Sequence, residues 1–143
     1  MEIDQNARRA AFQFMPITFQ SLVIESTSQC NARCAMCYQS AGPNGSDIRG
    51  KSTLSLEQIK ILLHDGMRIK TLNKNFHLTG GEAFLNINDC IDVFNTAREV
   101  GYAGISTTTN AYWASTRNSA KGICSTLRPV SYTHLTLPTN REV

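Results

Sequence analysis

The 143-residue chain holds no apolar run approaching the roughly 20 residues that a membrane-spanning helix needs. Its first residues, Met1-Glu2-Ile3-Asp4-Gln5-Asn6, lack both the basic region and the apolar core of a secretory signal. No basic run exceeds the Arg8-Arg9 pair, and 14 Lys and Arg against 11 Asp and Glu leave a scattered net charge of +3. That excludes the concentrated basic footprint of a nucleic-acid or anionic-membrane binder. Charged residues are also scarce, 17% against about a quarter in ordinary domains, with Ser, Thr and Asn in their place. The 41% apolar fraction still supports one small core, and the length fits one domain. The expected setting is the cytoplasm, with no nucleic-acid or membrane partner.

What is present begins with an alternation of short strand-like runs and longer helical patterns from residue 18 onward. Phe19 to Ser26 carries Leu22, Val23 and Ile24 as a compact apolar run, the pattern of a strand buried on both faces. A long polar loop follows from Thr27 to Ser52, and its Ala41 to Ser46 segment is rich in turn residues. Ser55 is placed to cap a helix with Gln58 at the capping-box position, and Leu56, Ile59, Leu62, Leu63 and Met67 form its apolar face. Phe76 to Thr79 reads as a second strand running into Gly80-Gly81. Asn88 is the expected cap of a second helix, with Ile91, Val93, Phe94 and Ala97 inward and Gly101 at its stop. Ala103 to Thr108 is the third strand, ending at Thr109-Asn110, and a last helix is expected from Trp113 to Leu127. Strand and helix in strict alternation predict an α/β fold with a parallel sheet. Ligand chemistry in such sheets gathers at the carboxyl ends of the strands, so the cysteine loop, Gly80-Gly81-Glu82 and Thr109-Asn110 should share one rim.

Five cysteines is an odd number for a disulfide framework, and three of them lie in Cys30-Asn31-Ala32-Arg33-Cys34-Ala35-Met36-Cys37. In a reducing compartment that cluster reads as a metal site. Three thiolates on one loop suit three corners of an iron–sulfur cube and leave the fourth iron open. A structural zinc site would want a closed set of four, and there is no second cysteine pair. His77 could complete such a set, although its strand position suits a core or lining role. The alternative reading is therefore a non-catalytic zinc-binding module.

The cysteine loop resembles the signature of the radical S-adenosylmethionine (radical SAM) superfamily. Thr79-Gly80-Gly81-Glu82 matches that family's GGE motif, and Ser106 to Asn110 resembles the polar end of its third strand. The likeness covers residues 18 to 127. It departs at Met36, where an aromatic residue is usual, at Ala83 in place of Pro, and at Ala111 in place of Gly. The resemblance implies a partial (β/α) TIM-like barrel and a 4Fe–4S cluster held by Cys30, Cys34 and Cys37. It implies S-adenosylmethionine on the open iron, cleaved by one electron to a 5′-deoxyadenosyl radical that takes a hydrogen from an unidentified small-molecule or peptide substrate. Gly80, Gly81 and Glu82 would bind the methionine amino group, the backbone of Met36 would approach adenine, and Thr109 and Asn110 would face cofactor or substrate. A glycine pair suits that role because a ligand can approach backbone that has no Cβ. The implied partner is a one-electron donor such as flavodoxin or ferredoxin.

The remaining residues have plainer readings. Cys90 and Cys124 read as buried or half-buried thiols rather than auxiliary-cluster ligands. His64 and Arg33 read as surface side chains, and Trp113 either lines a substrate cavity or packs. Val130 through Thr139 looks like the translation of a transposon-based sequencing adapter, with Asn140 to Glu142 as its index and Val143 as the next codon. On that expectation residues 1–17 are an extension, 18–129 are the N-terminal half of a radical SAM core domain cut after three βα units, and 130–143 are a non-native tail. The third strand would then have an open edge, making the chain poorly soluble and inactive.

Overall fold

The computed structural model describes residues 17–127 and the backbone of the strand at 132–136. The first strand, β1 (Leu22–Glu25), leads into the long loop, where β2 (Ala41–Gly42) and β3 (Gly45–Ser46) form a small antiparallel hairpin. Helix α1 (Leu56–Arg68) follows, then β4 (Asn75–Thr79), a 3-10 turn (Ala83–Asn86), α2 (Ile87–Val100) and β5 (Gly104–Thr108). A second 3-10 turn (Tyr112–Ala114), α3 (Arg117–Leu127) and β6 (Tyr132–Thr136) complete the order. Strands β1, β4, β5 and β6 lie side by side in that sequence, all parallel. This is the expected α/β arrangement as an open parallel sheet; the described residues do not close a barrel.

Local chemistry explains the element ends. Ser55 accepts from the Gln58 amide while the Gln58 side chain accepts from the Ser55 amide, closing the capping box in both directions. Gly101 ends α2 in the left-handed region at φ 110°, and its amide reaches the carbonyls of Ala97 and Arg98. The cap at the start of α2 is Asn86, not Asn88. The 3-10 turn uses Ala83–Asn86 first, so Asn86 is the last non-helical residue and its side chain accepts from the Asp89 amide. The last helix likewise starts later than Trp113, because Ala111 at φ 56° and a 3-10 turn intervene.

The core lies on one face of the sheet. Ile24, Phe76, Leu78 and Ile105 point toward Ile59 and Leu63 of α1 and Val93, Phe94 and Ala97 of α2. Val23 and Glu25 point the other way, and Val23 is 54% exposed, so β1 is not buried on both faces. Its apolar run is longer than its covered face because the helices pack on one side. Leu62, expected inward, is 41% exposed for the same reason: Ile59, Leu63 and Gly66 occupy the buried stripe of α1.

The edge of β5 is covered by β6, with Ile105 opposite Tyr132 and a register shift before Thr107 meets Leu135. The expected open edge is therefore absent. Tyr, Thr and Leu at 132–136 suit an extended conformation, and an exposed parallel edge is a template for any such segment within reach. The other residues of the 130–143 segment lie outside the described residues, as does the 1–16 part of the expected extension.

Candidate iron–sulfur and cofactor site

Three loops meet at the carboxyl ends of β1, β4 and β5. The Gly81 amide donates to the Thr27 carbonyl at 2.6 Å and the Glu82 amide to the Gln29 carbonyl at 2.9 Å, joining the GGE loop to the entrance of the cysteine loop. Asn110, just past β5, donates through Nδ2 to Asn31 Oδ1 at 2.8 Å and to Cys30 Sγ at 3.7 Å. The shared rim inferred from strand order is thus a connected network.

The glycines admit a close approach of the chain's own backbone. Gly80 has φ +135°, and a Cβ there would lie 2.5 Å from the Thr27 carbonyl oxygen; at Gly81 it would run into the backbone of Gln29. What approaches this backbone is the cysteine loop itself, so the pair makes room for loop-on-loop packing. Glu82 is fully buried. Its Oε1 accepts from the Phe84 amide at 2.9 Å and the Thr109 hydroxyl at 2.8 Å, and its Oε2 from the Asn110 amide at 2.6 Å. Three donors compensate the desolvated carboxylate, as burial of a charge demands. Thr109 is also buried and turns inward, accepting from the Trp113 indole at 3.1 Å. Trp113 stacks on Phe84 with ring centroids 5.7 Å apart, which settles its role as packing.

Cys30 is buried, Cys37 half-buried and Cys34 exposed. The Ala32 amide donates to Cys30 Sγ at 3.4 Å and the Ala41 amide to Cys37 Sγ at 3.5 Å. Burial pushes the Cys30 thiol up, the Ala32 amide and the Asn110 side chain pull it down, and the charges of Glu82 and Cys34 oppose ionisation. Among the described residues no three His, Cys, Asp or Glu side chains gather tightly enough to hold a single ion. A cube takes one thiolate at each of three separate irons, and this loop offers three thiols with N–H donors aimed at two of the sulfurs. The donor set fits a cluster.

Residues 22–134 match the family described as the 4Fe-4S single cluster domain. The chain belongs to that family. A 95-residue stretch is also 36% identical to a probable GTP 3',8-cyclase of Sulfolobus acidocaldarius, covering 65% of this chain and 27% of that protein. The chain thus spans little more than a quarter of the relative it matches. Family and relative together bear out the radical SAM resemblance and its cofactors, an iron–sulfur cluster and S-adenosylmethionine, and remove the support for a zinc module.

In this 4Fe–4S domain Met36 is 76% exposed on the cysteine loop. His77 sits half-buried on the uncovered face of the sheet, bonded to the hydroxyls of Ser106 at 2.8 Å and Thr108 at 3.1 Å, and desolvation lowers its pKa. Cys90 is buried, with a pKa pushed up to about 12 chiefly by desolvation, whereas Cys124 is exposed rather than buried because α3 turns that residue outward. Arg33 pairs with Asp47 across the loop at 3.4 Å.

Sequence reasoning missed Glu25. It accepts from the Tyr38 hydroxyl at 3.0 Å and pairs with Arg49 at 2.9 Å, so the segment that follows the three cysteines is tied at two points to the end of β1. Glu25, Thr27, Ser28, Gln39, Arg49 and Ser52 enclose a cavity of about 200 Å³. The available signal was Glu25's position as the last, outward residue of a strand, which periodicity alone does not distinguish from solvent exposure. No helix among the described residues is long and apolar enough to cross a membrane.

Proposed function

We propose that the protein to which this 4Fe–4S domain belongs cleaves S-adenosylmethionine reductively and abstracts hydrogen from its substrate. The observation that carries this reading is the meeting of the cysteine loop, the GGE loop and Thr109-Asn110 in one hydrogen-bonded network at the carboxyl edge of a parallel sheet. The residues present would hold the cluster through Cys30, Cys34 and Cys37. When bound, cluster and S-adenosylmethionine supply one-electron cleavage of the sulfonium to methionine and a 5′-deoxyadenosyl radical.

The chain's own contribution is placement. Ala32 and Ala41 aim amides at thiolates, Glu25 anchors the far side of the loop through Tyr38 and Arg49, and the Phe84 and Trp113 rings exclude water beneath Glu82. The exposed side of the loop, with Cys34 and Met36, is where a one-electron donor such as flavodoxin or ferredoxin would approach. The sheet is part of a TIM-like barrel in this reading, and the setting is the cytoplasm.

Anaerobic reconstitution with ferrous iron and sulfide tests it. Equal iron and sulfide, broad visible absorption lost in Cys34→Ala, and an electron paramagnetic resonance signal of the reduced cluster altered by S-adenosylmethionine are the expected results. Zinc bound in preference to offered iron, or a signal indifferent to S-adenosylmethionine, overturns it.

A further inference from the structure

We infer that Glu82 and Asn110 form a relay that positions Cys30 and raises the reduction potential of the cluster it holds; this deepens, and rests on, the iron–sulfur reading above. The buried Glu82 carboxylate accepts from three donors of the chain itself, Phe84, Thr109 and Asn110. The carboxylate's work is therefore directed at the chain: its 2.6 Å bond to the Asn110 amide fixes the backbone where β5 ends. Asn110 is then held from two further sides. Its Oδ1 accepts from the Tyr112 amide at 3.0 Å, and its Nδ2 is left to face Asn31 and Cys30 Sγ.

An N–H aimed at a ligating sulfur stabilises the extra negative charge of a reduced cluster, so hydrogen bonds to sulfur are one determinant of its potential. Cys30 is the buried one of the three candidate ligands, where an oriented dipole acts through the least water. Cys37 receives a backbone amide that no side-chain change removes, whereas the Asn110 donor is encoded by a residue that can vary. Asn110 is thus a positioning residue with an electrostatic consequence, and Glu82 acts through it by fixing its backbone, while its own negative charge near Cys30 works in the opposite sense.

The full chain and three variants, Asn110→Leu, Asn110→Asp and Glu82→Gln, are reconstituted anaerobically, assayed for iron and sulfide, and their cluster potentials measured by mediated spectroelectrochemistry. Asn110→Leu removes the donor, and Asn110→Asp removes it while retaining the acceptor for Tyr112 and adding negative charge. The expected order is wild type highest, Leu lower and Asp lowest. Glu82→Gln, whose lost negative charge acts on the potential in the opposite sense, is read instead by amide exchange at Asn110, expected faster than in wild type. Unchanged exchange there overturns the Glu82 arm of the relay. Equal potentials in loaded wild type, Leu and Asp proteins overturn the relay while leaving the cluster reading intact. A wild-type chain that takes up no iron overturns that reading instead. Should the Asn110 variants fail to load, amide exchange across residues 30–37 of the cluster-free chain decides: faster exchange than wild type supports the relay, and unchanged exchange refutes it.

Discussion

Replacing Thr109 by Val keeps the shape of the side chain and deletes a hydroxyl at the crossing of three bonds. That hydroxyl donates to Glu82 at 2.8 Å, accepts from the Trp113 indole at 3.1 Å and accepts from the Ala111 amide at 3.1 Å. A hydrogen bond to a charged group contributes about 1.5–3 kcal/mol, and a buried donor left unpaired costs about 1–3 kcal/mol. Trp113 is only 7% exposed, so water does not replace the lost acceptor. The expected destabilisation is about 3–5 kcal/mol, a large fraction of the roughly 5–15 kcal/mol that holds a domain folded. Urea unfolding followed by the fluorescence of Trp113, the single tryptophan, reads the change at the site itself. With a slope of about 2 kcal/mol per M, the midpoint should fall by roughly 2 M. Thr109→Ser keeps the hydroxyl and should lose only about 1 kcal/mol for the missing methyl. A Val midpoint within about 0.3 M of wild type, or a Ser variant as damaged as Val, refutes the idea that the hydroxyl is the tie.

The other expectations concern ionisation. In the native cluster-free chain at pH 8, iodoacetamide should modify the exposed Cys34 and Cys124 quickly and Cys90, whose pKa is pushed up to about 12, only on unfolding; mass spectrometry after timed quenching checks this. For His77, desolvation holds the folded pKa below the unfolded value of about 6.5, so the unfolded chain binds more protons between the two values. Its contribution is fully present above the unfolded pKa and is lost as pH falls toward the folded one. Stability measured from pH 7 to 5 should therefore fall less steeply in His77→Gln than in wild type.

Much of this was legible in the residues because it depends on local chemistry. Ser55 and Gln58 announce their helix by a reciprocal cap, Gly101 by its left-handed turn, and the three strands by apolar runs followed at once by unusual loops. The cysteine spacing carried the cofactor class for the same reason: three ligands within one loop are local. The parts that were misread depend on what comes from elsewhere in the chain. Val23 looks like core until one knows that both helices lie on the opposite face. The backbone of Thr27 to Gln29 that packs against Gly80 and Gly81 is another such contact, since no local pattern around the glycines announces it. Two of the three donors to Glu82 come from positions 27 and 28 residues further along, which no local pattern announces. Tyr132–Thr136 reaches an edge that strand counting left vacant.

The bond from Asn110 to Cys30 spans 80 residues of sequence, so it depends on the assembled sheet and not on the loop alone. The Ala32 amide reaches Cys30 within its own turn, so part of the sulfur environment exists as soon as the loop forms. The Asn110 donor stands just past β5, so its place depends on β4 pairing with β1 and β5 with β4. A cluster captured early would sit in a wet, half-built loop and gain its last donor and its burial at sheet completion. Binding free energy at such a site is folding free energy. Cluster retention therefore reports on whether the sheet has been assembled, and a chain stalled before β5 docks would be marked by a labile cluster.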